Sequence, residues 1–180
     1  MKFDHFHINE GDTVVNLGAH RGAATTFYSN RVGETGFVLS VEPEQENFLE
    51  LHNTMEKYGN VWTAQFAIGE ETKTGFLNVG TNNVNHSTVR TFEDGERQEV
   101  EIITWDDLIT KAGLTEVHIA NVDVEGSECE WLRGMTHTYP KHIVMEEHSR
   151  FAYPFEELEA LLREKGYMWV REGIHLYATR

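Results

Sequence analysis

Hydrophobic and polar positions along the chain follow two spacings, one typical of strands and one typical of helices. Short apolar runs predict strands over 13–17, 36–43, 60–69, 116–126 and 142–149. Apolar positions at helical spacing, with capping residues and glycine stops, predict helices over 21–32, 44–59, 104–113, 127–134 and 155–166. Strands that alternate with helices indicate an α/β domain with a mostly parallel sheet.

Two segments depart from this alternation. Residues 70–103 are polar and rich in Gly and Asn, and they predict short antiparallel strands around a loop at 81–96. Residues 167–180 predict a closing hairpin that turns near Glu172 and Gly173. Since no linker, repeat or low-complexity stretch divides the sequence, we predict one domain over residues 1–180.

The charge balance narrows the range of partners. Acidic residues number 30 and basic residues 15, which gives a formal net charge of −15. Such a chain repels phosphate backbones, so we expect no nucleic acid partner. The acidic excess is consistent either with solubility alone or with a salt-rich habitat.

The same composition bears on localisation. No apolar run approaches the ~20 residues that span a bilayer, so we expect no membrane partner. The first twelve residues lack the apolar core of a secretory signal, and the single Cys129 cannot form an internal disulfide. We therefore expect the protein in the cytoplasm.

The stretch "TVVNLGAHRG" suggests a cofactor site. Gly18 and Gly22 form a turn between the first strand and a helix, where backbone N–H groups lie beneath a ligand in nucleotide-binding folds. The alternative is a plain tight turn. Glu42 ends the neighbouring second strand, where an acid can accept hydrogen bonds from ribose hydroxyls. Together the turn and the acid predict a cofactor that contains adenosine.

The residues within the turn help to choose the cofactor. Ala19, His20 and Arg21 fill the space that a pyrophosphate needs, and the third glycine of a dinucleotide loop is missing. An adenosine without phosphate tolerates this bulk better, which favours S-adenosylmethionine. An NAD-dependent oxidoreductase is the alternative.

Five stretches, in order, carry a family resemblance: "VVNLGAHRG", "VEPEQENFLEL", "ITWDDL", "NVDVEGSECEWLRGM" and "IVMEEHS". Across about residues 11–149 the sequence resembles the FkbM-type S-adenosylmethionine-dependent methyltransferases. The resemblance implies the class I, Rossmann-like α/β fold, whose seven-stranded sheet is mostly parallel with an antiparallel last strand and has helices on both faces. It also implies transfer of a methyl group, usually to oxygen. We expect the acceptor to be a hydroxylated small molecule or a sugar.

The resemblance also assigns the cofactor residues. The methionine end of S-adenosylmethionine is expected to lie against Asn16, Gly18, Ala19, His20 and Gly22. Glu42 is expected to hold the ribose, and Ala67 and Ile68 to flank the adenine. Asp123, at the end of the fourth strand, is assigned both to the cofactor and to the reaction.

Methyl transfer to a hydroxyl needs a base or a metal to take the proton. The candidates are Asp123, Glu125, Glu146 and His148, because the ends of the fourth and fifth strands meet at one edge of an open sheet. We expect metal-independent transfer, in which Asp123 orients the acceptor and His148 takes the proton. A divalent metal is the alternative, and for Glu125 and Glu128 a second alternative is capping of the helix that follows.

Two residues depart from the family pattern. Asn16 stands where the family usually has Asp, and Asn121 stands where it commonly has Lys. These departures leave open a non-catalytic module that binds the cofactor. The chain begins almost at the first strand, so we expect the acceptor pocket to be covered by the loop at 81–96 or by a partner in a homodimer.

Overall fold

The computed structural model describes residues 5–80, 86–88 and 96–180. In chain order the strands are β1 (Thr13–Leu17), β2 (Phe37–Val41), β3 (Val61–Ala64), β4 (Ala67–Ile68), β5 (Lys73–Val79), β6 (His86–Ser87), β7 (Glu96–Ile103), β8 (Ile119–Val122), β9 (His142–Glu146), β10 (Met168–Glu172) and β11 (His175–Thr179). The helices are α1 (Ala23–Val32), α2 (Gln45–Met55), α3 (Trp105–Lys111), α4 (Glu128–Arg133) and α5 (Phe155–Glu164).

Seven strands form the central sheet, in the order β10-β11-β9-β8-β1-β2-β3. The pairs among β9, β8, β1, β2 and β3 are parallel, whereas β11 runs antiparallel to both β9 and β10. The prediction of a mostly parallel, seven-stranded sheet with an antiparallel last strand is confirmed. Because β1 lies between β2 and β8, the carboxyl ends of these three strands open into one crevice.

Alternate residues of β1 pack on opposite faces of this sheet, as the two-residue period of a strand requires. Val15 and Leu17 belong to a buried cluster with apolar residues of α3, α4 and α5. Val14 belongs to a second cluster, formed with residues of α1 and α2. Helices therefore cover both faces of the sheet, as the sequence predicts.

A second sheet, in the order β4-β7-β5-β6, continues from the edge of the first. Its longest pairing joins β5 and β7 in antiparallel register from Lys73↔Ile102 to Val79↔Glu96. Antiparallel strands within 70–103 were expected, and the pairing confirms them. Of the predicted loop at 81–96, residues 81–85 and 89–95 lie outside the described residues.

The prediction of one continuous strand over 60–69 is wrong. The chain leaves the central sheet at Ala64, where β3 reaches the end of β2 in the pairing Val41↔Ala64. It then enters the second sheet at Ala67, which pairs with Ile102. Both segments are apolar because both are partly buried, and hydrophobicity alone does not reveal the change of sheet.

The predicted helices are present, with shorter bounds for some of them. The helix expected over 44–59 ends at Met55, while Thr104 caps α3 as expected by accepting the N–H of Asp107 at 3.1 Å. The closing hairpin turns through Gly173 and Ile174, next to the predicted position. In the part of the chain that the structure describes, no helix has both the length and the apolar character that crossing a membrane requires.

Candidate active site

The turn after β1 directs its N–H groups into the protein. Gly18 and Ala19 both donate to the carbonyl oxygen of Val41, at 3.0 and 2.9 Å, and Gly22 donates to Ala19 at 2.9 Å. His20 donates to Glu42 Oε2 at 2.8 Å. A pyrophosphate is held by N–H groups that point at the ligand. Because these four N–H groups donate within the protein, the geometry does not favour a dinucleotide.

The close approach of the chain at the end of β8 requires glycine at position 18. Its φ is +76°, and a Cβ at this position would lie 1.8 Å from the carbonyl oxygen of Asp123. Only glycine adopts this conformation without strain and allows so close an approach. The turn after β1 and the end of β8 are therefore in direct backbone contact, which places Asp123 beside the predicted cofactor site.

Asn16 lies below the turn, where its side chain is fully buried. Its Oδ1 accepts from Asn121 Nδ2 at 2.7 Å, and its Nδ2 donates to Thr25 Oγ1 at 3.1 Å. The amide therefore has a protein partner at each end. This geometry supports a role in positioning the turn, and the contact of Asn16 with the cofactor stays a prediction.

Glu42 is held against the turn by two backbone N–H groups. Its Oε2 accepts from His20 and its Oε1 from Glu44, at 2.8 and 3.0 Å. Only 4% of the residue is exposed. Burial raises the pKa of Glu42 to about 7, although the two backbone hydrogen bonds oppose this shift. Each carboxylate oxygen has a second lone pair, so Glu42 can still accept from a ribose hydroxyl.

Ala67 and Ile68, the residues predicted to flank the adenine, line a small cavity between the turn and the second sheet. The cavity is mostly apolar and has a volume of about 30 Å³. A cavity of this volume holds about two water molecules, and the contact of Ala67 and Ile68 with an adenine ring stays a prediction. A larger groove of about 380 Å³ beside β3 shares Phe66 with this cavity but contains none of the predicted site residues.

The loop after β8 carries Glu125 in a strained conformation. Its φ is +49°, and His20, with φ of +48°, is the other non-glycine residue at positive φ within the described part of the chain. Both lie in loops at the carboxyl edge of adjacent strands, and such strain is common at functional sites. Ser87 Oγ donates to the carbonyl oxygen of Glu125 at 2.7 Å, so the second sheet braces this loop.

The structure brings the four predicted catalytic residues together. His148 Nε2 lies 3.5 Å from Glu125 Oε2 and 3.8 Å from Glu146 Oε1. Asp123, Glu146 and His148 each offer one ligand atom, and these three atoms lie within 4.8 Å of one another. The strand β9 ends at Glu146, so His148 reaches the cluster from the following loop. Glu147 points away and pairs with Arg171, as the alternation of side chains predicts.

The pKa values of Asp123 and His148 are both raised within the cluster, for different reasons. Burial, together with the charges of Glu146 and Glu125, raises the pKa of Asp123 to about 7. Burial alone would lower the pKa of His148, but the hydrogen bond and charge of Glu128, with the neighbouring acids, raise it to about 9. The raised pKa favours the protonated imidazole, which is a counter-charge for the acids around it. The role of His148 as the proton acceptor stays a prediction.

Two members of the site were not predicted. Glu128, fully buried, places Oε1 2.7 Å from His148 Nδ1 and also accepts the N–H of Gly126 at 3.1 Å. From the sequence it was assigned only as a helix-capping alternative. His175 pairs with Glu146 in the β9–β11 register, and its Nε2 lies 4.0 Å from Glu146 Oε2. No sequence signal identifies it, because the hairpin pairs His175 with Glu172 and the β9–β11 register is set by the whole fold.

Several solved structures share this fold. Fibrillarin from Aeropyrum pernix, solved with natively bound S-adenosyl-L-methionine, is 12% identical with a TM-score of 0.61, covering 98% of this chain and 69% of that one. The FkbM methyltransferase from Methylobacillus flagellatus is 17% identical with a TM-score of 0.64, covering 98% of this chain and 45% of that one. Fibrillarin from Methanococcus jannaschii, a pre-rRNA processing protein, is 13% identical with a TM-score of 0.58, covering 96% of this chain and 67% of that one. At these identities the likeness establishes the fold.

The fold is therefore that of the class I methyltransferases. The model of the methyltransferase FkbM domain matches residues 16–168, which is most of the chain. The chain belongs to this family, and its cofactor is S-adenosylmethionine. No curated protein matches the sequence.

The residues present fit this cofactor in charge. S-adenosylmethionine carries a positive sulfonium, an ammonium and a carboxylate group, so it has a net positive charge and no phosphate. Asp123 Oδ1 is buried and has no hydrogen-bond partner among the described residues. A buried carboxylate oxygen is stabilised by a cation or a donor, both of which this cofactor provides. The acidic crevice and the occupied N–H groups of the turn therefore suit S-adenosylmethionine better than a dinucleotide.

Proposed function

We propose that the protein transfers a methyl group from S-adenosylmethionine to a hydroxyl oxygen of a small molecule or a sugar. The observation that carries the proposal is the convergence of Asp123, Glu125 and Glu146 with His148, next to the turn at Gly18. A cofactor lying over this turn would present its methyl group towards the cluster. Oxygen acceptors need such a cluster because their proton must be removed.

When bound, S-adenosylmethionine supplies an electrophilic methyl group, which the acceptor oxygen takes as the sulfur–carbon bond breaks and leaves its electron pair on sulfur. The chain's residues have two tasks in this reaction. They hold the hydroxyl in line with the methyl group, and a carboxylate of the cluster receives the hydroxyl proton. Glu42 and the turn fix the cofactor from the opposite side of the crevice.

Support for a small acceptor comes from the charge of the protein. The net charge of −15 opposes binding of nucleic acid, and the likeness to fibrillarins concerns the fold only. A homodimer and coverage of the pocket by residues 81–96 stay predictions. The chain spans 45% of the length of the FkbM methyltransferase from Methylobacillus flagellatus, so its acceptor cannot be transferred from that protein.

Two measurements test the proposal. Calorimetric titration with S-adenosylhomocysteine is expected to give saturable binding at one site. Incubation with methyl-labelled S-adenosylmethionine and a panel of sugars and hydroxylated metabolites is expected to yield a methyl ether and one equivalent of S-adenosylhomocysteine. Binding without turnover, or a label found only on nitrogen or sulfur, would contradict O-methylation while leaving the family assignment in place.

A further inference from the structure

The cluster at the ends of β8 and β9 has the dimensions of a metal site. Ligand atoms from Asp123, Glu146 and His148 lie within 4.8 Å of one another. A divalent ion bound at about 2.1–2.3 Å holds its ligand atoms roughly 3–4.5 Å apart, so small side-chain adjustments would complete the coordination. Glu146 is the last residue of β9, Asp123 directly follows the adjacent strand β8, and His148 lies two residues beyond β9.

The orientation of His148 also suits a metal ligand. Its Nδ1 lies 2.7 Å from Glu128 Oε1, and Glu128 is fully buried. If Nδ1 donates its proton to Glu128, the lone pair of Nε2 faces Glu125 and Glu146, at 3.5 and 3.8 Å. Metal-binding histidines usually donate their second ring N–H to a carboxylate in this way.

The charge of the cluster also suits a cation. One buried carboxylate oxygen of the three ligand residues, Asp123 Oδ1, has no hydrogen-bond partner among the described residues. Four carboxylates, those of Asp123, Glu125, Glu128 and Glu146, surround the imidazole of His148, and a second imidazole, that of His175, lies 4.0 Å from Glu146. The acidic groups outnumber the imidazoles, and buried charge without a counter-charge is costly.

We propose that Asp123, Glu146 and His148 bind a divalent cation, with Glu128 holding the histidine ring. The inference rests on the proposed function, since the ion would lie where the acceptor hydroxyl enters. Two carboxylates and one imidazole suit Mn²⁺ better than the all-oxygen preference of Mg²⁺ or Ca²⁺. The ion would hold the acceptor oxygen and lower the pKa of its hydroxyl, which eases transfer of the proton to a nearby carboxylate.

Electron paramagnetic resonance of Mn²⁺ tests the site without any acceptor. Titration of the full chain is expected to show one bound ion with a Kd below about 0.1 mM, well separated from weak binding to surface acids. Electron spin echo modulation from ¹⁴N is expected, because one ligand is an imidazole. A Kd above about 1 mM, or a bound ion without nitrogen modulation, overturns the proposal.

Matched variants locate the ion. Glu146→Gln is expected to weaken Mn²⁺ binding at least about tenfold, while Glu99→Gln, the same charge change at an exposed position of β7, leaves it unchanged. His148→Gln is expected to remove the nitrogen modulation, and His175→Gln to keep it. Equal weakening by Glu146→Gln and Glu99→Gln would mean adventitious binding only. If His148→Gln does not fold, the ¹⁴N modulation of the unmodified protein still tests whether an imidazole binds the ion.

The two proposals fail in distinguishable ways. If the protein binds S-adenosylhomocysteine but does not bind Mn²⁺, the metal site is overturned and the proposal of methyl transfer is unaffected. Tight Mn²⁺ binding in a protein that does not bind S-adenosylhomocysteine would instead contradict the proposed function.

Discussion

Asn16 and Asn121 face each other across β1 and β8, and Asn121 Nδ2 donates to Asn16 Oδ1 at 2.7 Å. These are the two positions at which the sequence departs from the pattern of the family it resembles, where Asp and Lys are usual. The structure shows that they are direct neighbours. We interpret the two departures as one coupled replacement, in which a neutral amide pair stands where an ion pair would otherwise lie.

The coupling can be measured in urea unfolding. Asn16→Asp places a charge at a fully buried position and is expected to cost about 1–3 kcal/mol of the free energy of unfolding at neutral pH. Adding Asn121→Lys supplies the counter-charge and is expected to recover at least about 1 kcal/mol of that loss. Asn53→Asp, at an exposed position of α2, is the control for the charge change. Additive effects of the two substitutions would contradict the coupled interpretation.

The contact between Gly18 and Asp123 gives a second prediction. In Gly18→Ala the new Cβ would meet the Asp123 carbonyl oxygen at 1.8 Å, so β1 and β8 must separate. We expect a loss of more than about 2 kcal/mol in the free energy of unfolding. S-adenosylhomocysteine binding should also weaken, because the turn and the end of β8 form one site.

The matched control is Gly113→Ala. Gly113 also has a positive φ, +67°, but no atom lies within 4 Å of a Cβ built there. Strain without a clash is expected to cost about 1 kcal/mol. Similar losses for both variants in chemical denaturation would show that the approach of Asp123 is not what requires glycine at position 18.

The raised pKa of Glu42 predicts a pH-dependent cofactor affinity. If the ionised carboxylate accepts from the ribose, binding follows the ionised fraction of Glu42, whose pKa is about 7. That fraction rises from about one tenth at pH 6 to about nine tenths at pH 8, so affinity for S-adenosylhomocysteine should rise about tenfold over this range. Calorimetric titration at several pH values measures it. Glu42→Gln should bind more weakly and lose the dependence, whereas a pH profile shared by both proteins would exclude Glu42 as its source.

The placement of the glycine turn beside an acid could be predicted because the two are close in sequence. The turn at Gly18 and the acid at Glu42 belong to one strand–helix–strand unit, whose geometry is fixed by local spacing and the handedness of the connection. For the acidic cluster, the sequence predicts which strand ends meet but not how the side chains there are oriented. The orientation of the His148 ring depends on Glu128, 20 residues earlier, and that contact is made by the tertiary packing of α4.

The same limit applies to Asn16 and Asn121, which are 105 positions apart. The sequence identifies each as unusual, but only the strand order β8-β1-β2 shows that they are partners. The split of the predicted strand over 60–69 has a similar cause, since two apolar segments next to each other in sequence belong to different sheets. Hydrophobic patterning reports burial, whereas pairing partners are set by the whole fold.

Ser87 provides a last prediction, which concerns the conformation of the crevice. Its side chain is almost fully buried, and its Oγ donates to the carbonyl oxygen of Glu125, the residue held at φ of +49°. In Ser87→Ala that carbonyl loses a donor where water has little access, which is expected to cost about 1–2 kcal/mol. The loop should also open locally, so the amide hydrogen of Gly126, which donates to Glu128 Oε1, should exchange faster. Thr88→Val is the control, because it removes the neighbouring contact to Ser127 Oγ and leaves the Glu125 carbonyl bonded. If Gly126 exchange is unchanged in Ser87→Ala, or rises equally in Thr88→Val, the second sheet does not hold Glu125 in place through this hydrogen bond.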